Sequence, residues 1–120
     1  NSNSPSELNR IVMSDQYPGN VVYLSSVQLA NPGWVAIHKD EGGKPGAVIG
    51  SMYFDKGINP GKITLTASTV ESGIYYAMLH ADDDDKLFSE TKDLTVKDAR
   101  GNVIMKLFRA SSAVGAGIKG

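Results

Sequence analysis

The sequence predicts an all-β fold, an antiparallel β-sandwich of about seven or eight strands, immunoglobulin-like or cupredoxin-like in arrangement. Three observations carry this. Turn chemistry returns regularly, at Tyr17-Pro18-Gly19-Asn20, Asn31-Pro32-Gly33, Asp40 to Gly46, Asp55 to Gly61 and Asp98 to Asn102. The segments between these turns are short, apolar and rich in β-branched and aromatic residues. No segment sustains a helical period, and Leu87 to Lys92 offers one turn of helix at most.

Taken in order, Asn1 to Asn9 is a polar leader with nothing to pack, expected to be flexible. Such leaders follow cleaved signal peptides or membrane anchors, so an extracytoplasmic setting is expected. Arg10 to Ser14 is a first strand. Val21 to Ala30 is a second, with Val21, Tyr23, Val27 and Leu29 assigned to one face. Trp34 to Lys39 is the third and Ala47 to Phe54 the fourth. Lys62 to Ser68 has the clearest alternation: Ile63, Leu65 and Ala67 point one way, Lys62, Thr64, Thr66 and Ser68 the other. Gly73 to His80 is the most apolar run and the expected centre of the core. Asp93 to Val96 reads as a short edge strand, and Val103 to Arg109 as the last strand. Ala110 to Gly120 is an Ala/Ser/Gly tail expected to fray. The domain proper is therefore 10–109.

Composition narrows function. At 120 residues the chain is one domain with one core. A net charge of -1 leaves no basic footprint for nucleic acid. The absence of cysteine removes disulfides, thiolate metal sites and cysteine nucleophiles. No apolar run reaches the ~20 residues that cross a bilayer, so a membrane enters only through a removed N-terminal anchor.

Two segments, GWVAIHKDEGGKPGAVIG (Gly33 to Gly50) and YYAMLHADDDDKLF (Tyr75 to Phe88), stand beside a late Gly101-Asn102-Val103-Ile104 turn and strand. Together they resemble an uncharacterised family of prokaryotic secreted and surface-attached domains. That family carries Gly-Trp-Val-x-Ile-His, Pro-Gly-x-x-x-Gly and Tyr-Ala-x-Leu-His-x-Asp stretches. The resemblance implies a β-sandwich, tethered outside the membrane, with no assigned activity and no catalytic residues. The family is sometimes found beside cupredoxin-like domains. A blue-copper centre is excluded here, since the thiolate that it needs is missing.

The candidate sites follow from side-chain chemistry. Asp82, Asp83, Asp84 and Asp85 repel one another and must be solvated or neutralised by a cation. Calcium favours such oxygen-rich loops, though contiguous carboxylates diverge and only some of the four can share one ion. His38 and His80 each stand just before an acidic cluster. A metal site shared by the two is weighed against strand parity. The third and sixth strands run oppositely, and histidines ending them lie at opposite poles, about 20 Å apart. Two separate structural histidines, each hydrogen-bonded near a loop, are expected, and neither copper nor zinc. Trp34, Tyr53, Tyr75 and Tyr76, and Met13, Met52, Met78 and Met105, are read as core builders rather than as a sugar platform or a thioether site. No Gly-x-Ser-x-Gly, His-Glu-x-x-His or phosphate-cradling loop is present. The expected function is a non-enzymatic extracellular or cell-surface module in adhesion, assembly or envelope structure, its partner a protein or glycan. A calcium-binding domain built on Asp82–Asp85 and a small-ligand or carbohydrate binder are the alternatives.

Overall fold

The computed structural model describes residues 9–83, 86–89 and 92–114. Among the described residues seven strands follow one another: β1 (Arg10–Val12), β2 (Val21–Leu29), β3 (Gly33–Glu41), β4 (Lys44–Phe54), β5 (Gly57–Thr64), β6 (Ile74–Ala81) and β7 (Met105–Arg109). They form two antiparallel sheets, ordered β1-β2-β5 and β4-β3-β6-β7. This is the immunoglobulin constant-type order with the fourth strand moved to the opposite sheet. The β-sandwich expected from the turn spacing is the fold.

The core lies between the sheets. Val22, Leu24, Val27, Leu29 and Ile63 on one side meet Val35, Ile37, Ile49, Phe54, Tyr75, Ala77, Leu79 and Phe108 on the other. Each of these removes apolar surface from water, worth ~25 cal/mol per Å². Inward residues of β2 do not keep strict alternation. The register shifts between Leu24 and Val27, and the extra residue of a β-bulge turns the strand over. The face assigned to β2 is thereby corrected: Val22 and Leu24 point inward, whereas Tyr23 is 59% exposed. Pro60 lies on β5, which pairs with β2 alone, and sits opposite that same bulge, where its missing N–H breaks no ladder bond. That explains a second difference. Gly57 to Gly61, expected in a turn, extends an edge strand that proline there does not forbid.

The β3–β4 hairpin closes on Gly42-Gly43, with Glu41 opposite Lys44. Both glycines have positive φ, +65° and +85°, as a two-residue primed turn requires. Asn9 and Ala110, at the inner ends of the expected tails, are both held. Asn9 Oδ1 accepts from Ala30 N–H at 2.9 Å, and Ala110 bridges Gln16. The rest of the leader, and residues 115–120, lie outside the described residues.

β3 and β6 differ from the other strands. Val35 to His38 are buried without interruption, and so are Tyr75 to His80. A strand buried at successive residues is covered on both faces. One face meets the sandwich core. On the other, Phe88 from the chain after β6 packs against His80 and Trp34. Further on, Leu94 to Val96 pairs in the plane of the sheet, on the edge of β6 away from β3: Ala81 N–H donates to Leu94 O at 2.8 Å, Val96 N–H to Leu79 O at 2.9 Å, and Thr95 bridges His80. The outer face of the four-stranded sheet thus holds a second buried layer.

Candidate metal centre

The second layer follows from strand register. Ala36 stands opposite Met78, His38 opposite Tyr76 and Trp34 opposite His80. Side chains two residues apart share a face, so Trp34, Ala36, His38, Tyr76, Met78 and His80 all project outward together. Their neighbours Val35, Ile37, Ala77 and Leu79 fill the core.

His38 and His80 are 4% and 3% exposed. Four residues of offset along the strands and one strand spacing across place their Cα atoms about 14 Å apart. Yet the ring centroids are 6.0 Å apart, with planes 14° from parallel. Both side chains must therefore lean toward one another along the sheet, distal edges foremost. The sequence expectation of two remote histidines is overturned here. The antiparallel direction of the two strands was right, but they are hydrogen-bonded neighbours. Neither histidine ends its strand, so the opposed directions bring the rings together.

The ring nitrogens are assigned by their partners. His38 Nδ1 lies 2.8 Å from Gly46 O, and His80 Nδ1 lies 2.8 Å from Asp93 O. A carbonyl only accepts, so in each neutral ring Nδ1 carries the proton and Nε2 the lone pair. Both Nε2 atoms are buried, and that of His38 has no hydrogen-bond partner among the described residues. A buried acceptor left so costs about 1–3 kcal/mol. This is the arrangement of metal-ligating imidazoles, whose far nitrogen is oriented by a main-chain carbonyl. Distance agrees. A nitrogen lies about 1.1 Å from its ring centroid and a metal–nitrogen bond is about 2.0 Å, so rings sharing an ion have centroids no further apart than about 6.2 Å.

The surroundings hold the pair. Phe88 stands edge-on to His80 at 5.2 Å and tilts against Trp34 at 5.6 Å. Trp34 also meets Tyr53 edge-on at 5.6 Å, and Lys86 Nζ lies over the Tyr53 ring. On the His38 side, Tyr76 O–H donates to Asp40 Oδ1 at 2.7 Å. That bond to a carboxylate, then burial, then the negative charge itself hold the phenol above its usual pKa.

The acidic string is partly in view. Asp84 and Asp85 lie outside the described residues. Asp82 Oδ1 accepts from Trp34 Nε1–H at 3.1 Å, and Oδ2 from Lys86 N–H at 3.3 Å. Asp93, fully buried, accepts from Asp83 N–H at 3.0 Å and from Ser89 N–H at 2.7 Å. Carboxylate oxygens of Asp82, Asp83 and Asp93 lie within 4.8 Å of one another. Two of these side chains accept main-chain N–H groups and tie the loop down, and Asp93 O orients His80. Asp93 was not singled out in the sequence, because one aspartate in a polar stretch carries no local signal.

The aromatic and methionine assignments divide between the layers. Tyr75 and Met13 belong to the core as expected. Trp34 and Tyr53 are only half-buried and pack on one another on the outer face, outside the core. Met78 is buried but outside the core cluster, and Met105 is exposed, so neither is core filler.

No curated protein and no solved structure matches the chain. A family model described as a domain of unknown function, DUF7282, matches residues 9–109, which span every strand and both histidines. The chain belongs to the DUF7282 family.

Proposed function

We propose that this domain is a non-enzymatic metal-binding module whose centre is the His38–His80 pair. The observation that carries the reading is the pair itself: two buried imidazoles converging to 6.0 Å, each with Nδ1 committed to a carbonyl. Imidazole nitrogen suits copper, zinc and nickel, whereas calcium takes oxygen. Titration of the purified protein with copper, zinc and nickel salts, followed by calorimetry and thermal melting, tests it. One equivalent of at least one of these ions should bind and raise the melting temperature. The gain is about 2.7 kcal/mol at a hundredfold excess over Kd. Substituting either histidine with leucine should abolish both effects. Wild-type protein that shows no heat and no shift with any of the three removes the reading.

The setting is part of the same proposal: a cell-surface or secreted module in adhesion, assembly or envelope structure. It rests on sequence composition and on the resemblance. Fractionation of cells expressing the full gene, with labelling by an impermeant reagent, checks it.

A calcium site at Asp82, Asp83 and Asp93 is the second reading, favoured by the convergence of their oxygens. Asp93 replaces part of the contiguous string as the ligand. Calcium titration that leaves the melting temperature unmoved, in protein freed of ions by chelator, rules it out.

A further inference from the structure

We infer that the centre takes copper in its monovalent state, with the Met78 thioether as third ligand. This rests on the two-histidine reading and names the ion. The argument begins from register. Ala36 pairs with Met78, His38 lies two residues beyond Ala36, and His80 lies two residues beyond Met78 in the opposite direction. The midpoint between the two histidine Cα atoms therefore falls on the Ala36–Met78 pair. An ion shared by the two leaning rings stands over that pair. Ala36 offers only a methyl group, which leaves room beneath the ion, so Met78 Sδ is the donor at this point.

The burial of Met78 fits this place. It is 9% exposed, yet it is absent from the inter-sheet core cluster that takes Met13. Met105 pairs with it across β6 and β7, on the same face, and is 47% exposed. A second thioether thus borders the patch where it meets solvent.

The ligand chemistry selects the ion. Thioether sulfur is soft and neutral, and with imidazole it favours monovalent copper over zinc, which prefers thiolate or carboxylate beside its histidines. The chain has no cysteine. Charge points the same way. Two imidazoles and a thioether bring no negative charge, so the ion keeps its own, and the cost of burying a charge rises with its square. A singly charged ion costs about a quarter as much as a divalent one in the same site.

The test uses the whole protein under anaerobic conditions. Monovalent copper is supplied in acetonitrile, bicinchoninate competes for it, and X-ray absorption reads the ligands. Wild type should bind one equivalent with nitrogen and sulfur scatterers. Met78→Leu should weaken copper about tenfold or more and remove the sulfur, with zinc affinity unchanged. Leucine nearly conserves volume, so this variant should fold, and its circular dichroism melt confirms that it has. Copper held by nitrogen alone in wild type, or sulfur that persists in Met78→Leu, overturns the role of Met78 and leaves the histidine centre standing. Wild type that binds no monovalent copper but does bind zinc or nickel overturns the choice of ion. Wild type that binds none of them overturns both.

Discussion

Replacing His38 with leucine separates a site histidine from a structural one, because the two roles predict changes of different size in the metal-free protein. The side chain makes one hydrogen bond, from Nδ1 to Gly46 O at 2.8 Å. Its loss costs about 1 kcal/mol, and Gly46 is only half-buried, so water can take over its carbonyl. Against that stands Nε2, buried with no hydrogen-bond partner among the described residues. Removing it returns about 1–3 kcal/mol. The two nearly cancel, so metal-free His38→Leu should melt within about 5 °C of wild type, on either side. The same variant should lose the whole metal-induced gain, about 2.7 kcal/mol or roughly 10 °C at a hundredfold excess of ion. Paired melts with and without metal, watched by circular dichroism, give both numbers. A metal-free loss above about 3 kcal/mol would mean that His38 holds the fold, and the cost assigned to its buried nitrogen would be wrong.

Three further outcomes follow from other parts of the site. A Cβ added at Gly33 would lie 2.5 Å from the main-chain oxygen of His80. Gly33→Ala must therefore push the two strands apart, with a loss of about 1–3 kcal/mol in urea unfolding and weaker metal binding. Asp93→Asn presents an amide N–H₂ to one of two main-chain donors, at Asp83 or Ser89. That should destabilise by about 1–3 kcal/mol and weaken metal about tenfold through the loop that orients His80, read by melting and by titration. The raised pKa of Tyr76 sets a pH window for the metal-free protein. The unfolded phenol ionises near 10.0 and the folded one later, so this contribution is full below that pH and is lost as pH climbs through the folded value. Melts in alkaline buffers should fall more steeply for wild type than for Tyr76→Phe. Parallel curves would refute the Tyr76–Asp40 linkage.

Which parts of this were legible in the sequence depends on how local the cause is. The Gly42-Gly43 hairpin and the Asp98–Asn102 turn are fixed by their own backbone chemistry. Asp98 Oδ1 there accepts from both Arg100 and Asn102 N–H. The identity of the most apolar strand needed only its composition, and Tyr75, Ala77 and Leu79 do reach the core. The inward face of β2 was not legible, because Ser25 and Ser26 give no sign that a bulge divides the strand into two parities. Nor was the extent of β5, since proline breaks a central strand and is harmless at an edge, and which strand is an edge is a property of the sheet. The two histidines failed for the same reason. Strand direction is set by alternation along the chain, but adjacency is set by how the sheets divide, and only adjacency brings the rings within 6.0 Å.

The pattern was nonetheless present in another form. Trp34-x-Ala36-x-His38 and Tyr76-x-Met78-x-His80 are two alternations with the same period. Once the strands are antiparallel neighbours, with their small and thioether residues paired, the histidines converge from opposite ends. The same segments are apolar at the intervening positions, which is why they read as core strands. A strand apolar on one face and His/Met-bearing on the other needs a cover on both, and the chain following β6 supplies the second. Burial of the two rings keeps water from Nε2, where it would otherwise compete with the proposed ion. Phe88, edge-on to His80 at 5.2 Å, is therefore the side chain to trim when access to the proposed centre is tested. Phe88→Ala should speed metal uptake, measured by stopped-flow competition, while leaving the ligands in place. An unchanged rate would mean that the ion enters elsewhere, with the exposed Met105 edge the next surface to block.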